Sequence, residues 1–109
     1  MNMKNDLLIV KAGVDPKMYN EIRRQTATRS SETLVMVVGT PGGSPMHAYR
    51  TMIFLRSIYK KIVFIVFDEA MSAGTLMALG SDSIYLEDDK EKFVKRLLKV
   101  HAGNVVMEE

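Results

Sequence analysis

Four short apolar runs dominate the sequence: Leu7-Leu8-Ile9-Val10, Leu34-Val35-Met36-Val37-Val38, Ile62-Val63-Phe64-Ile65-Val66-Phe67 and Ile84-Tyr85-Leu86. They are rich in β-branched and aromatic residues, and they are continuous instead of alternating with polar positions. A strand with one wet face alternates, whereas a strand covered on both faces does not. The runs therefore predict a parallel sheet sandwiched between helices. A fifth, weaker run is Val105-Val106-Met107.

The stretches between the runs read as helices. Asp15-Pro16 and Ser44-Pro45 each pair a capping side chain with a proline at the first helical position, where the missing N–H costs nothing. The first helix is expected to reach about Thr28. In the second, Ala48, Met52, Leu55 and Tyr59 fall on one face. Ala73 to Leu79 is apolar nearly all round and is expected to be buried. A fourth helix is expected from Asp88-Asp89, with Phe93, Val94, Leu97 and Leu98 inward and Gly103 as its stop. Alternating strands and helices specify an α/β layered fold with right-handed crossovers.

Composition narrows the function classes. With 109 residues the chain is expected to form one domain, residues 1–109. The 47% apolar and 26% charged content excludes a disordered chain. A net charge of +2 leaves no nucleic-acid or membrane footprint, and no nucleic-acid or membrane partner is expected. Absence of cysteine removes disulfides, thiolate metal sites and a cysteine nucleophile. With only His47 and His101 available, no metal site and no cofactor are expected. The N-terminal apolar stretch is too short for a signal sequence or a membrane span, which gives the expectation of a cytoplasmic protein.

Two constellations can carry chemistry. Thr40-Pro41-Gly42-Gly43-Ser44 lies between a strand and a helix, at the strand's carboxyl end, where open α/β sheets bind ligands. Its glycines let the backbone approach a ligand and turn N–H groups toward it. The spacing matches neither dinucleotide nor P-loop fingerprints, so a plain strand-to-helix turn is the other reading. Ala70-Met71-Ser72-Ala73-Gly74 follows the strongest strand. Ser72 is either the N-cap of the next helix or a serine on a strand-to-helix turn beside N–H groups that hold an oxyanion. As an N-cap its Oγ should accept from the N–H of Thr75 or Gly74. The Asp68-Glu69 pair before it reads as a solvated turn, and the nine methionines read mostly as core filler.

Together, Thr40-Pro41-Gly42-Gly43 and Ser72-Ala73-Gly74-Thr75…Ala78-Leu79-Gly80-Ser81-Asp82 resemble the ClpP/crotonase superfamily. Within it they look most like the serine dehydrogenase proteinase and signal peptide peptidase branch. The resemblance covers about residues 34–86. It implies a shortened ClpP/crotonase-like domain with a mostly parallel central sheet flanked by helices, truncated on its C-terminal side. It implies that Ser72 is the nucleophile and that the N–H groups of Gly43 and Ala73 form the oxyanion hole. An extended peptide or protein segment would lie beside Thr40, Gly42, Gly43 and Ser44, by strand addition. A side chain at Gly43 is expected to intrude on the acyl site.

The resemblance also implies a base for the serine, which is inert at its free pKa. The lysine of the signal peptide peptidase branch falls beyond the last residue. His101 follows Ser72 at a spacing near that of the histidine in the Clp protease proteolytic subunit, yet the pattern places it at the end of a basic amphipathic helix and not on or just after a strand. His47, in the first turn after the glycine loop, is the other histidine that could approach Ser72. The implied activity is therefore that of a serine peptidase-like protein whose base is missing or supplied in trans. The alternative is a catalytically inactive relative acting as a peptide-binding or assembly module. A homo-oligomer is expected, with the fourth helix and the Ala48–Tyr59 face as contact surfaces.

Overall fold

A computed structural model describes residues 5–70, 72–87 and 105–108, without the side chains of residues 68, 69, 87 and 105–108. The elements are β1 (Asp6–Lys11), α1 (Pro16–Gln25), β2 (Thr33–Thr40), α2 (Pro45–Ile58), β3 (Lys61–Ala70), α3 (Ala73–Leu79), β4 (Ser83–Glu87) and β5 (Val105–Glu108). All five apolar runs are strands. They form one sheet in the order β4-β3-β2-β1-β5, and every neighbouring pair is parallel. The expected fourth helix, with Gly103 and His101, lies outside the described residues.

Parallel strands need crossovers, and the capping signals decide where these start. Asp15 accepts the Met18 N–H at 2.8 Å, and Ser44 accepts the His47 N–H at 3.3 Å, each ahead of a proline. The first helix is shorter than its pattern predicts. It leaves α geometry at Gln25 and continues as a 3-10 turn over Thr26–Thr28. There the Thr26 hydroxyl donates to the Ile22 carbonyl at 2.7 Å, a local bond that competes with helix continuation.

Side-chain alternation along the strands builds two apolar clusters. Leu8, Val10, Leu34, Met36, Val38, Ile62 and Phe64 face α1, α2 and α3, and they pack on Met18, Ile22, Met52, Leu55 and Met77. The intervening residues Leu7, Val35, Val37 and Ile65 form a second buried cluster on the opposite face. Burial on both faces is what the continuous runs required. Met18, Met36, Met52 and Met77 are core residues, while Met46 is exposed.

Three expectations change. The Ala48–Met52–Leu55–Tyr59 face of α2 is fully engaged in the core, so it is not a surface for self-contact. Helix α3 is not buried all round: Leu76 and Leu79 are exposed, while Ala73, Met77 and Ala78 are buried. Asp68 and Glu69 do not form a turn. They belong to β3, because the β2–β3 register shifts between Val38↔Val66 and Thr40↔Ala70 and the bulged strand runs on to Ala70. A bulge depends on the partner strand, which local sequence does not reveal.

Among the described residues no helix is long and apolar enough to cross a membrane.

One buried polar cluster ties the amino ends of the strands together. Asp6 is 2% exposed. Its carboxylate accepts the Tyr59 hydroxyl at 2.6 Å, the Ser30 hydroxyl at 2.9 Å and the Ser30 N–H at 3.1 Å. Burial, then the hydrogen bond to Asp6 and the Asp6 charge, push the Tyr59 phenol far above its ordinary range. The fold therefore requires neutral Tyr59, whereas the unfolded phenol ionises near pH 10. Stability present below about pH 10 should fall as pH rises above it. Tyr59→Phe should remove about 1–3 kcal/mol at neutral pH, because it withdraws a donor from a buried carboxylate. It should also flatten the alkaline loss. Urea unfolding of both proteins across pH 7 to about 11 checks both outcomes.

Candidate functional site

The two constellations leave the carboxyl ends of adjacent strands. Thr40 closes β2 and Ala70 closes β3, and the two residues are register partners. The loop after β2 and the turn after β3 are therefore neighbours at one end of the sheet. Contact is close: a Cβ built on Gly74 would come within 2.5 Å of Thr40 Cγ2 and 3.2 Å of Ala70 Cβ. Glycine at position 74 lets α3 start against the end of β2.

The glycine loop is fixed by three hydrogen bonds. The Thr40 side chain is buried, and its hydroxyl accepts the Gly42 N–H at 3.1 Å. The Val14 N–H donates to the Gly42 carbonyl at 2.9 Å, and the Ser44 N–H donates to the Val14 carbonyl at 2.8 Å. These bonds make a parallel bridge between Val14 and Gly43, continuing the β1–β2 ladder past its named ends. In such a bridge the flanking residues supply the bonds. The N–H and C=O of Gly43 itself take no part in the bridge. Gly42 and Gly43 hold φ of 107° and 146°.

The structure corrects the reason for glycine at position 43. A Cβ there would fall on the Val14 carbonyl, so the obstacle is the bridge to the β1–α1 loop and not an intrusion on an acyl group. Val14 was not anticipated as part of the site. The sequence carries no signal for it beyond an apolar residue between Gly13 and the Asp15 cap.

Ser72 is the second correction. It does not cap α3 with its side chain. The capping acceptor is its backbone carbonyl, which receives the Thr75 N–H at 3.0 Å. Ser72 has φ 50° and ψ −108° and is the one non-glycine residue with positive φ among the described residues. Such a conformation is strained for a residue with a Cβ. The turn leaves the serine exposed, with Ala73 buried as the first residue of α3. The Thr75 hydroxyl braces it by donating to the Ala70 carbonyl at 3.0 Å. This is the geometry of a serine lifted off the end of a strand onto a helix start.

His47 does not complete the site. The His47 Nδ1 shares a hydrogen bond of 2.8 Å with the Ser44 hydroxyl, and none joins His47 to Ser72 among the described residues. His101 lies outside the described residues. Among the described residues no group of three or more histidine or acidic side chains could hold a metal ion. A cleft lined by Arg29, Glu32, Arg56, Ser57, Tyr59 and Lys60 sits at the amino ends of β2 and β3, the opposite end of the sheet from Ser72.

The chain is similar to the crystal structure of the ClpP protease catalytic domain from Plasmodium falciparum, with a TM-score of 0.62 and 16% sequence identity. The fold is ClpP-like. The match covers 84% of this chain and 61% of that domain, so the chain spans less than two thirds of the solved neighbour. No protein-family model and no curated protein matches the sequence. At 84% of the chain, the match is longer than residues 34–86, where the motifs lie.

Two substitutions test this geometry. Ser72→Gly should stabilise the protein by about 1 kcal/mol, as relief of backbone strain exceeds the entropy cost of glycine. Gly43→Val should destabilise it by about 3 kcal/mol or more, through positive φ and collision with Val14. Thermal melting of both variants reads the two signs.

Proposed function

We propose that the chain is a serine peptidase-like protein of the ClpP/crotonase superfamily, closest by its motifs to the serine dehydrogenase proteinase and signal peptide peptidase branch. The single observation that carries this reading is the Ser72 backbone. A serine serving only as a cap adopts ordinary extended φ/ψ and uses its hydroxyl, and Ser72 does neither. Strain kept at an exposed nucleophile beside a glycine loop fits a reactive site.

In the proposed reaction, Ser72 Oγ attacks a peptide carbonyl carbon while its proton passes to a base. The Gly43 and Ala73 N–H groups hold the oxyanion. The leaving amine takes the proton, and water then releases the acyl group from Ser72. Thr40 shapes the loop, and Gly42, Gly43 and Ser44 line the path of an extended peptide. The base is His101 or a group supplied in trans, since His47 is engaged by Ser44. We further propose a single domain, a homo-oligomer and a cytoplasmic location.

The engagement of His47 favours a second reading, in which the protein keeps the peptide groove without turnover. Removing a base costs about 10²–10⁴-fold in rate, so the isolated chain should hydrolyse peptides poorly. With a base present, in the chain or supplied in trans, a fluorophosphonate probe should label Ser72, and Ser72→Ala should abolish labelling. Labelling that survives Ser72→Ala would remove Ser72 from the site. Absence of labelling with retained peptide binding would select the non-catalytic module.

A further inference from the structure

The cleft at the amino ends of β2 and β3 has a volume of about 440 Å³, within the range of small-molecule sites. It is cationic: Arg29, Arg56 and Lys60 line it against one carboxylate, Glu32. The three cations are not equally available. Arg56 is bonded to Asp82 at 2.5 Å. The same carboxylate accepts the Ile62 N–H at 2.7 Å, so this pair fastens the start of β3. Arg29 is exposed and meets no carboxylate at ion-pair distance among the described residues. Its guanidinium lies 5.9 Å from the centre of the Tyr59 ring and donates to the Ser31 carbonyl at 3.2 Å. These contacts orient the planar group and leave its charge unneutralised. The Asp6 carboxylate behind Tyr59 is already met by three donors.

Lys60 is the second available cation. The Lys60 and Lys61 N–H groups both donate to the Glu32 carbonyl, at 2.9 and 3.2 Å, which sets Glu32 beside Lys60. Their side chains meet at 3.3 Å but are 70% and 79% exposed, and such pairs hold little energy. Glu32 is thus an easily displaced anion in a cleft that also holds Arg29.

We propose that this cleft binds a small hydroxylated phosphate ester, of the sugar-phosphate class, with its phosphate between Arg29 and Lys60. Charge selects phosphate over carboxylate. A second carboxylate would exchange for Glu32 like for like. A phosphate carries about −1.5 to −2 charges at pH 7 and three acceptor oxygens, so it can meet a guanidinium and an ammonium together. Volume selects an ester over the free ion, because phosphate alone would leave most of the cleft unfilled. The remaining wall is the last turn of α2, through Ser57 and Ile58. Carbonyls at a helix C-terminus lack intrahelical donors and accept from hydroxyl groups. The negative end of the same helix keeps the phosphate on the Arg29–Lys60 side. This site is independent of the peptidase reading, since it lies at the opposite end of the sheet from Ser72.

Amide NMR of the full chain at low salt tests the cleft, with glucose 6-phosphate, inorganic phosphate, glucose and glucuronate as probes. Glucose 6-phosphate should shift the amides of residues 29–32 and 57–61 saturably, and it should bind more tightly than inorganic phosphate. Glucose and glucuronate should bind about tenfold more weakly or worse. Arg29→Gln and Lys60→Gln should each weaken the sugar phosphate about tenfold. Glu32→Gln should tighten it about two- to fivefold, by removing the competing carboxylate. Ser72→Ala should leave it unchanged. Circular dichroism verifies that each variant is folded, and Lys60→Gln, at an exposed side chain, carries the test if Arg29→Gln is not. Absence of saturable shifts with millimolar glucose 6-phosphate would overturn the site, as would binding that ignores Lys60→Gln or weakens in Glu32→Gln. Glucuronate binding as tightly as glucose 6-phosphate would overturn the choice of phosphate. Inorganic phosphate binding as tightly would overturn the ester.

Discussion

The parallel pairing of β2 with β3 is the constraint on which the rest depends. It places Thr40 beside Ala70, so the glycine loop and the serine turn emerge side by side. The same pairing buries Phe64, Ile62 and Leu34 under α2, and hydrophobic burial of such side chains contributes about 1.5–3 kcal/mol each. Core and site therefore share their framework. A change that slips the β2–β3 register would also separate Gly43 from Ser72.

Two devices then convert a strand end into a candidate reaction centre. The Val14–Gly43 bridge holds the loop from the β1 side. The turn at Ser72 stores strain that neighbouring packing maintains, with Gly74 against Thr40 and the Thr75 hydroxyl on Ala70. Rigid backbone groups aimed at one point are what electrostatic stabilisation of an oxyanion demands. Neither device depends on an ionisable side chain, which is why the arrangement is coherent while no histidine touches Ser72 among the described residues.

The strands and the first two helix starts were legible because their signals are local. Continuous β-branched runs imply burial on both faces, and Asp15-Pro16 and Ser44-Pro45 fix where chains turn into helices. What was not legible was decided by partners distant in sequence. The extension of β3 through Asp68 and Glu69 follows from a bulge against β2. The Asp6–Ser30–Tyr59 cluster joins residues far apart in the chain. The exposed side of α3 depends on which flank meets the sheet, so Leu76 and Leu79 could not be told from Met77 by hydrophobicity. Ser72 was ambiguous for a different reason: serine is common at caps, and a positive φ leaves no mark on composition.

The account's central claim is that Gly43, Ser72 and Ala73 converge on one acyl site. A peptide boronic acid tests it most directly, because boron bonds to a serine oxygen as a tetrahedral anion and so reports site geometry with little dependence on turnover. Boron NMR of the protein with such a peptide should show a tetrahedral adduct, lost in Ser72→Ala. A spectrum showing only trigonal free boronate, with the wild-type protein folded and in excess, would contradict the claim.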